Sequence, residues 1–289
     1  MAFVNSGGVN IGFEDTGEGY PILFLHEFAG DIRSWESQVR FFCRRYRCIT
    51  VAARGYPPSD VPDDIGKYGW HYSIDDAIAV LDYLQIAQCH VIGLSMGAYT
   101  GILMALRHSD RLSALVAASG GSGAHPPGRQ NFIEETTVAA ERTLREGGVA
   151  AEDMGNGPSR IQLKCKDPRG WLEFCAHLAE HPGTGSGYTL QQVQARRPSL
   201  HEFSDELKNC RMPTLLMVGD EDDACLDVNL WLKRTLPVAG LSVVPQSGHL
   251  LNLEDPAGFN ARCVEFFGSV EKDRWFPRQR GEGSGRVYS

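Results

Sequence analysis

The sequence predicts an α/β fold, with a mostly parallel central sheet, helices on both faces and a block of extra helices inserted late in the chain. Three observations carry this. Apolar runs rich in β-branched residues alternate with amphipathic stretches. One such run ends in Gly93-Leu94-Ser95-Met96-Gly97, a G-x-S-x-G placed where a strand gives way to a helix, and the alternation stops between about residues 120 and 212. In chain order, strands are expected near Val9–Glu14, Pro21–His26, Arg47–Ala52, Cys89–Leu94, Leu112–Ala118, Thr214–Gly219 and Leu241–Pro245. Ile74, Ala77, Ile78, Leu81 and Leu84 recur at helical spacing and predict a helix over Ile74–Leu84; a second is expected over Ala98–Arg107. A last helix opens at Pro256 and carries Phe259, Cys263, Phe266 and Phe267 along one face.

The stretch Gly120-Gly121-Ser122-Gly123-Ala124-His125-Pro126-Pro127-Gly128 is flexible and then stiff, and Met212-Pro213 precedes a core strand. Residues 123–212 therefore read as a helical cap inserted between two parts of one core, 1–122 and 213–270. The glycines miss the G-x-G-x-x-G spacing, so they read as a linker and not as a phosphate cradle. Residues 271–289 hold little to bury and are expected to be a loose tail.

Length and composition narrow the function. The chain has 289 residues, enough for one sizeable core with an insertion, and a formal net charge of −8 without a dense basic stripe, which argues against binding nucleic acid. Neither a leader-like segment nor a run of about 18 apolar residues appears, so no membrane partner is expected and the chain reads as soluble and cytoplasmic. The eight cysteines are dispersed and contain no C-x-x-C pair, as expected of free thiols. Nothing requires a metal or a cofactor. Cys175, His177 and His181 superficially imitate a zinc site, but they lack a further ligand, and Cys175 and His177 do not share a helix face.

The chemistry begins at Ser95. A serine on a sharp strand-to-helix elbow projects its hydroxyl above the sheet, but it needs a base to become a nucleophile. Ser247-Gly248-His249 supplies one after a later strand. His249 in turn needs a carboxylate on its other ring nitrogen, and the cluster Gly219-Asp220-Glu221-Asp222-Asp223 offers three aspartates, of which the G-x-x-D spacing favours Asp222 over Asp220 and Asp223. An oxyanion would be held by the Met96 amide and by a second amide from the loop Leu25-His26-Glu27-Phe28-Ala29-Gly30, for which Phe28 is the candidate. Phe28 would then also face the substrate pocket.

These residues resemble the α/β-hydrolase superfamily, in its capped serine esterase and lactonase branch. The elbow, His26 opening the oxyanion loop, Arg54-Gly55 with Ser59, Gly219 with Asp222, and Gly248-His249 carry the resemblance across all but the tail. The run Gly248-His249-Leu250-Leu251-Asn252-Leu253-Glu254-Asp255-Pro256 is similar to that of 3-oxoadipate enol-lactonases. Ser95 separates the chain from haloalkane dehalogenases and epoxide hydrolases of this fold, which use Asp at the elbow. The resemblance also implies a structural role for His26. One departure stands out: relatives usually carry His-Gly in the oxyanion loop, whereas this chain has His26-Glu27, and the Glu27 carboxylate is expected to point away from the site, toward an arginine.

The resulting expectation is a serine hydrolase, monomeric or homodimeric, that cleaves a small carboxylic ester or lactone through an acyl-enzyme on Ser95, His249 and Asp222. The alternatives are C–C bond or amide hydrolysis or perhydrolysis on the same triad, or a ligand receptor with slow turnover. Trp171, Phe174 and Leu178 recur at helical spacing and read first as a buried face, with Trp171 and Phe174 as further pocket candidates. Tyr68, Trp70, His71 and Tyr72 are candidates to pack under the cap. Arg196 and Arg197 could meet a substrate carboxylate but read as solvated, and Asp31 and Arg33 read as a solvated helix start.

Overall fold

The computed structural model describes residues 1–279. Its single sheet contains β1 (Ala2–Ser6), β2 (Val9–Thr16), β3 (Tyr20–Leu25), β4 (Tyr46–Val51), β5 (Cys89–Leu94), β6 (Leu112–Ala118), β7 (Thr214–Gly219) and β8 (Ala239–Val244), in the order β1-β2-β4-β3-β5-β6-β7-β8. β1 and β2 pair antiparallel, as do β2 and β4; every other pairing is parallel. β5 and β7 are buried along their whole length, which is why they are mostly apolar, with His90 and Thr214 as the exceptions. β5, β6 and β7 coincide with the expected strands. β1 was not expected: it is a half-exposed edge strand whose short apolar run breaks at Asn5.

The helices of the core are α1 (Glu36–Phe42), α2 (Trp70–Tyr83) and α3 (Met96–Arg107) before the insertion. The insertion between β6 and β7 holds α4 (Arg129–Glu146), α5 (Ala151–Gly155), α6 (Ile161–Lys166), α7 (Pro168–Ala179), α8 (Gly183–Tyr188), which runs on as a π-helical turn over Thr189–Gln194, and α9 (Ser204–Asn209). The core resumes with α10 (Asp223–Thr235), α11 (Leu251–Glu254) and α12 (Pro256–Val270). α2 begins four residues before the expected Ile74 because the half-buried Trp70 already packs on the core.

Two buried clusters flank the sheet. On one face Ile74, Val80 and Leu81 of α2 and Ile102 of α3 meet Val228 and Leu232 of α10; on the other, Trp35 and Phe42 meet Phe259, Phe266 and Phe267 of α12. Burying aromatic side chains of this size supplies a large share of the apolar stabilisation.

The expected loose tail does not begin at 271. Trp275 lies edge-on to Phe266 at 4.7 Å and donates its indole N–H to the Val238 carbonyl at 2.9 Å, so the chain stays docked past α12. Residues 280–289 lie outside the described residues.

Candidate active site

Ser95 sits between β5 and α3 with φ 51° and ψ −105°, a strained backbone for a side-chain-bearing residue and one that costs roughly 1–3 kcal/mol. The flanking glycines are required by close approach. A Cβ on Gly97 would lie 2.0 Å from the Leu25 carbonyl oxygen, and one on Gly93 2.3 Å from the Gly97 oxygen. The elbow presses the start of α3 onto the end of β3, and no larger residue fits there.

His249 follows β8 in a loop held from two sides. Glu254 accepts hydrogen bonds from the Gly248 and Leu250 amides at 2.8 and 3.1 Å, and the His249 amide donates to the Ser159 carbonyl of the insertion at 2.6 Å. Of the three candidate aspartates, Asp222 meets the ring, with Oδ2 2.8 Å from His249 Nδ1. Burial pushes the Asp222 carboxyl upward, but the charge and hydrogen bond of His249, together with Cys225 and Arg160, hold the group below the ordinary range. Asp220 instead accepts from the Ser247 amide at 3.2 Å, and Asp223 opens α10. Ser95, Asp222 and His249 line one cavity of about 440 Å³, together with Phe28 from the loop after β3. Among the described residues no hydrogen bond joins the Ser95 hydroxyl to His249.

The loop after β3 is pinned by its own polar contacts. His26 Nε2 accepts from the Ala53 amide at 3.0 Å, which leaves Nδ1 as the donor to the Glu27 carbonyl at 2.7 Å. Burial pushes the His26 ring below its ordinary pKa, so it stays neutral in these two bonds. Tyr56 donates its hydroxyl to the Phe28 carbonyl at 2.8 Å. Both carbonyls are thereby committed.

Glu27 departs from expectation in one respect. It does pair with an arginine, Oε2 lying 2.6 Å from Arg160 Nη2, but the same oxygen is 3.7 Å from His249 Nε2, so the buried carboxylate points toward the imidazole and not away from it. Its partner Arg160 lines the cavity, so pairing with that arginine draws the carboxylate inward.

The insertion supplies the opposite wall: Phe132, Thr136, Met154, Arg160 and Leu190 line the same cavity. Trp171 and Phe174, expected at the pocket, do not. Trp171 donates to the Gly155 carbonyl at 3.0 Å, and Phe174 borders a separate cavity with Ala29 and His177. Their periodicity marks a buried face, on which Trp171 packs within the insertion and Phe174 turns toward Ala29 and Leu253 of the core. Asp31 is not solvated: it caps the turn at Ile32–Trp35 and is buried against Arg33 and His181, at 2.7 and 3.1 Å. Arg197 is buried as well, donating to the Ser122 carbonyl at 2.8 Å, and burial pushes it down to about 10. Tyr68 packs edge-on against Tyr188 of α8.

Asp222, Cys225 and His249 bring three ligand-type atoms within 4.8 Å of one another. The hydrogen bond between His249 and Asp222 accounts for two of them, and burial pushes the Cys225 thiol well above its ordinary range, which makes it a poor thiolate ligand. Cys175, His177 and His181 do not form such a group among the described residues, and His181 Nε2 is taken by Asp31.

With the geometry in place, comparison with known proteins is decisive for the family. A model described as "Alpha/beta hydrolase family" matches residues 22–262. The chain belongs to the alpha/beta hydrolase family. It is 26% identical over 285 residues to a putative 2-succinyl-6-hydroxy-2,4-cyclohexadiene-1-carboxylate synthase of Bacillus subtilis, covering 92% of this chain and 97% of that one. It is 25% identical over 245 residues to 3-oxoadipate enol-lactonase 2 of Acinetobacter baylyi, covering 83% and 85%. Among solved structures it resembles a thermophilic esterase from Thermogutta terrifontis, with a TM-score of 0.83 at 26% identity over 93% of this chain and 98% of that one. The family and these relatives support a hydrolase role.

Proposed function

We propose that the protein is a serine hydrolase that cleaves a small carboxylic ester or lactone, with Ser95 as nucleophile, His249 as general base and acid, and Asp222 orienting His249. The observation that carries this reading is the convergence of the three side chains on one cavity, with Asp222 Oδ2 2.8 Å from His249 Nδ1 and Ser95 raised on its strained elbow. Asp222 fixes the tautomer in which Nε2 is free to accept a proton.

In the proposed reaction the Ser95 hydroxyl attacks the carbonyl carbon as its proton passes to His249 Nε2, and the carbonyl electrons move onto oxygen. The Phe28 and Met96 amides hold that oxyanion, each worth roughly 10²–10³ in rate. Collapse breaks the bond to the leaving oxygen, which takes the proton from Nε2. Water then adds to the acyl-enzyme by the same route and the acid departs. The insertion acts as a cap: at about 440 Å³ the cavity suits an acyl or alcohol group of modest size. The resemblance to an esterase and an enol-lactonase supports the choice of ester or lactone.

The test is turnover of p-nitrophenyl acetate, butyrate and octanoate by the wild type and Ser95→Ala. Many turnovers by the wild type and their loss in the variant are expected; esterase activity that survives in Ser95→Ala would overturn the assignment.

A further inference from the structure

We propose that Glu27, held by Arg160 of the cap, is a positioning residue that acts on His249 from its Nε2 side and sets how readily the imidazole takes up a proton. The inference rests on His249 being the base.

Glu27 is buried, at 1% exposure, and burying a carboxylate is costly unless it is fully paired. Its pairing is incomplete. Oε2 meets Arg160 Nη2 at 2.6 Å, while among the described residues Oε1 and Arg160 Nε have no hydrogen-bond partner. A half-satisfied buried pair adds little to stability. Nor is the side chain needed to shape the loops around it. His26 and Tyr56 fix the loop after β3 through backbone carbonyls, and Glu254 and Ser159 fix the His249 loop. What the Glu27 side chain adds is charge, 3.7 Å from Nε2: too long for a good hydrogen bond, yet well within the range where one charge governs the ionisation of another.

The other groups around the ring do not substitute for it. Asp222 acts on Nδ1 at 2.8 Å; Cys225, in the first turn of α10, is a neutral thiol; Lys166 lies 3.6 Å from Glu254, and both act on the backbone and hydroxyl side of the loop. Two groups remain on the Nε2 side, with opposite signs. The Glu27 carboxylate favours the protonated ring, and the Arg160 guanidinium opposes it. Arg160 also lines the cavity. During attack the proton moves from Ser95 Oγ to Nε2, and Glu27 neither gives nor takes one. It stabilises the imidazolium formed at that moment.

The test is the pH dependence of Ser95 phosphonylation by a fluorophosphonate, in which the Ser95 oxygen bonds to phosphorus and fluoride leaves, and which needs no knowledge of the natural substrate. In Glu27→Gln the midpoint of the acidic limb is expected to move to lower pH by about one unit. In Arg160→Gln it is expected to move to higher pH. Glu27→Asp, which keeps the charge, should lie nearer to the wild type than Gln does. The position of the limb is the readout, because a loosened fold lowers the rate without choosing a direction. Unmoved midpoints, or two midpoints moved the same way, overturn the role of Glu27, and either variant alone decides the sign if the other fails to fold. Ser95→Ala separates the two claims: label lost there with unmoved limbs overturns Glu27 only, whereas label that persists there overturns the nucleophile and this inference with it.

Discussion

The strand-end loops of the core and the inserted helices form opposite walls of one cavity, and they are held in different ways. Ser95, Asp222 and His249 stand at the ends of β5, β7 and β8, whose backbones are locked in parallel pairing with β6 and with one another. The insertion meets the site through a few polar contacts: Arg160 on Glu27, the Ser159 carbonyl on the His249 amide, His181 on Asp31 and Arg197 on Ser122. The difference teaches a division of labour. Ser95, Asp222 and His249 are carried by the strand ends, whereas the helices of the insertion shape the cavity and, through Ser159 and Arg160, also brace the His249 side of it.

The sharpest way to break this comparison is Asp222→Asn. Under the proposed mechanism it costs roughly 10⁴-fold in kcat on p-nitrophenyl butyrate with circular dichroism unchanged. A loss of less than tenfold would mean that the strand-end loops do not carry the chemistry. Next comes Trp171→Ala, inside the insertion. It is expected to lower the unfolding free energy by about 3–5 kcal/mol in urea titration while leaving the preference among acetate, butyrate and octanoate esters unchanged. A changed preference would put Trp171 on the cavity wall after all.

Phe132→Ala should do the reverse. It widens the cavity and shifts kcat/KM toward octanoate relative to acetate by about tenfold, with the nucleophile still labelled. The smallest effect concerns the core alone. Burial pushes His26 and His90 below 6.5, so each stays neutral when folded but takes a proton when unfolded; the unfolded state then binds more protons, and stability falls as the pH drops below 6.5. Urea midpoints measured at pH 7.5 and 5.5 should show a loss of about 1 kcal/mol per histidine. Equal stability at the two pH values would mean that these rings are not held neutral.

The same division explains what was legible in the sequence. β5, β6 and β7 are legible because strands buried on both faces are mostly apolar, and the elbow because only glycine fits at 93 and 97. Chain order then led to Ser95, Asp222 and His249. The edge strand β1 was not legible, since a half-exposed strand needs few apolar residues. In the insertion, periodicity correctly marked Trp171 and Phe174 as a buried face, but periodicity does not say against what, and the wall is built by Phe132, Met154 and Leu190 instead. Arg160 left no signal because its partner, Glu27, is 133 residues away in the chain. Arg197 is buried although the sequence reads it as solvated, because an adjacent pair of arginines does not reveal which one turns inward.

The central claim is that Ser95 is the nucleophile of this cavity, and covalent capture tests it most directly. Folded protein would be treated with a fluorophosphonate, digested and mapped by mass spectrometry. The proposed mechanism predicts a single adduct on the peptide containing Ser95, absent in Ser95→Ala and slowed in Asp222→Asn. An unlabelled Ser95 in folded protein, or an adduct on another residue that forms equally in Ser95→Ala, would contradict it.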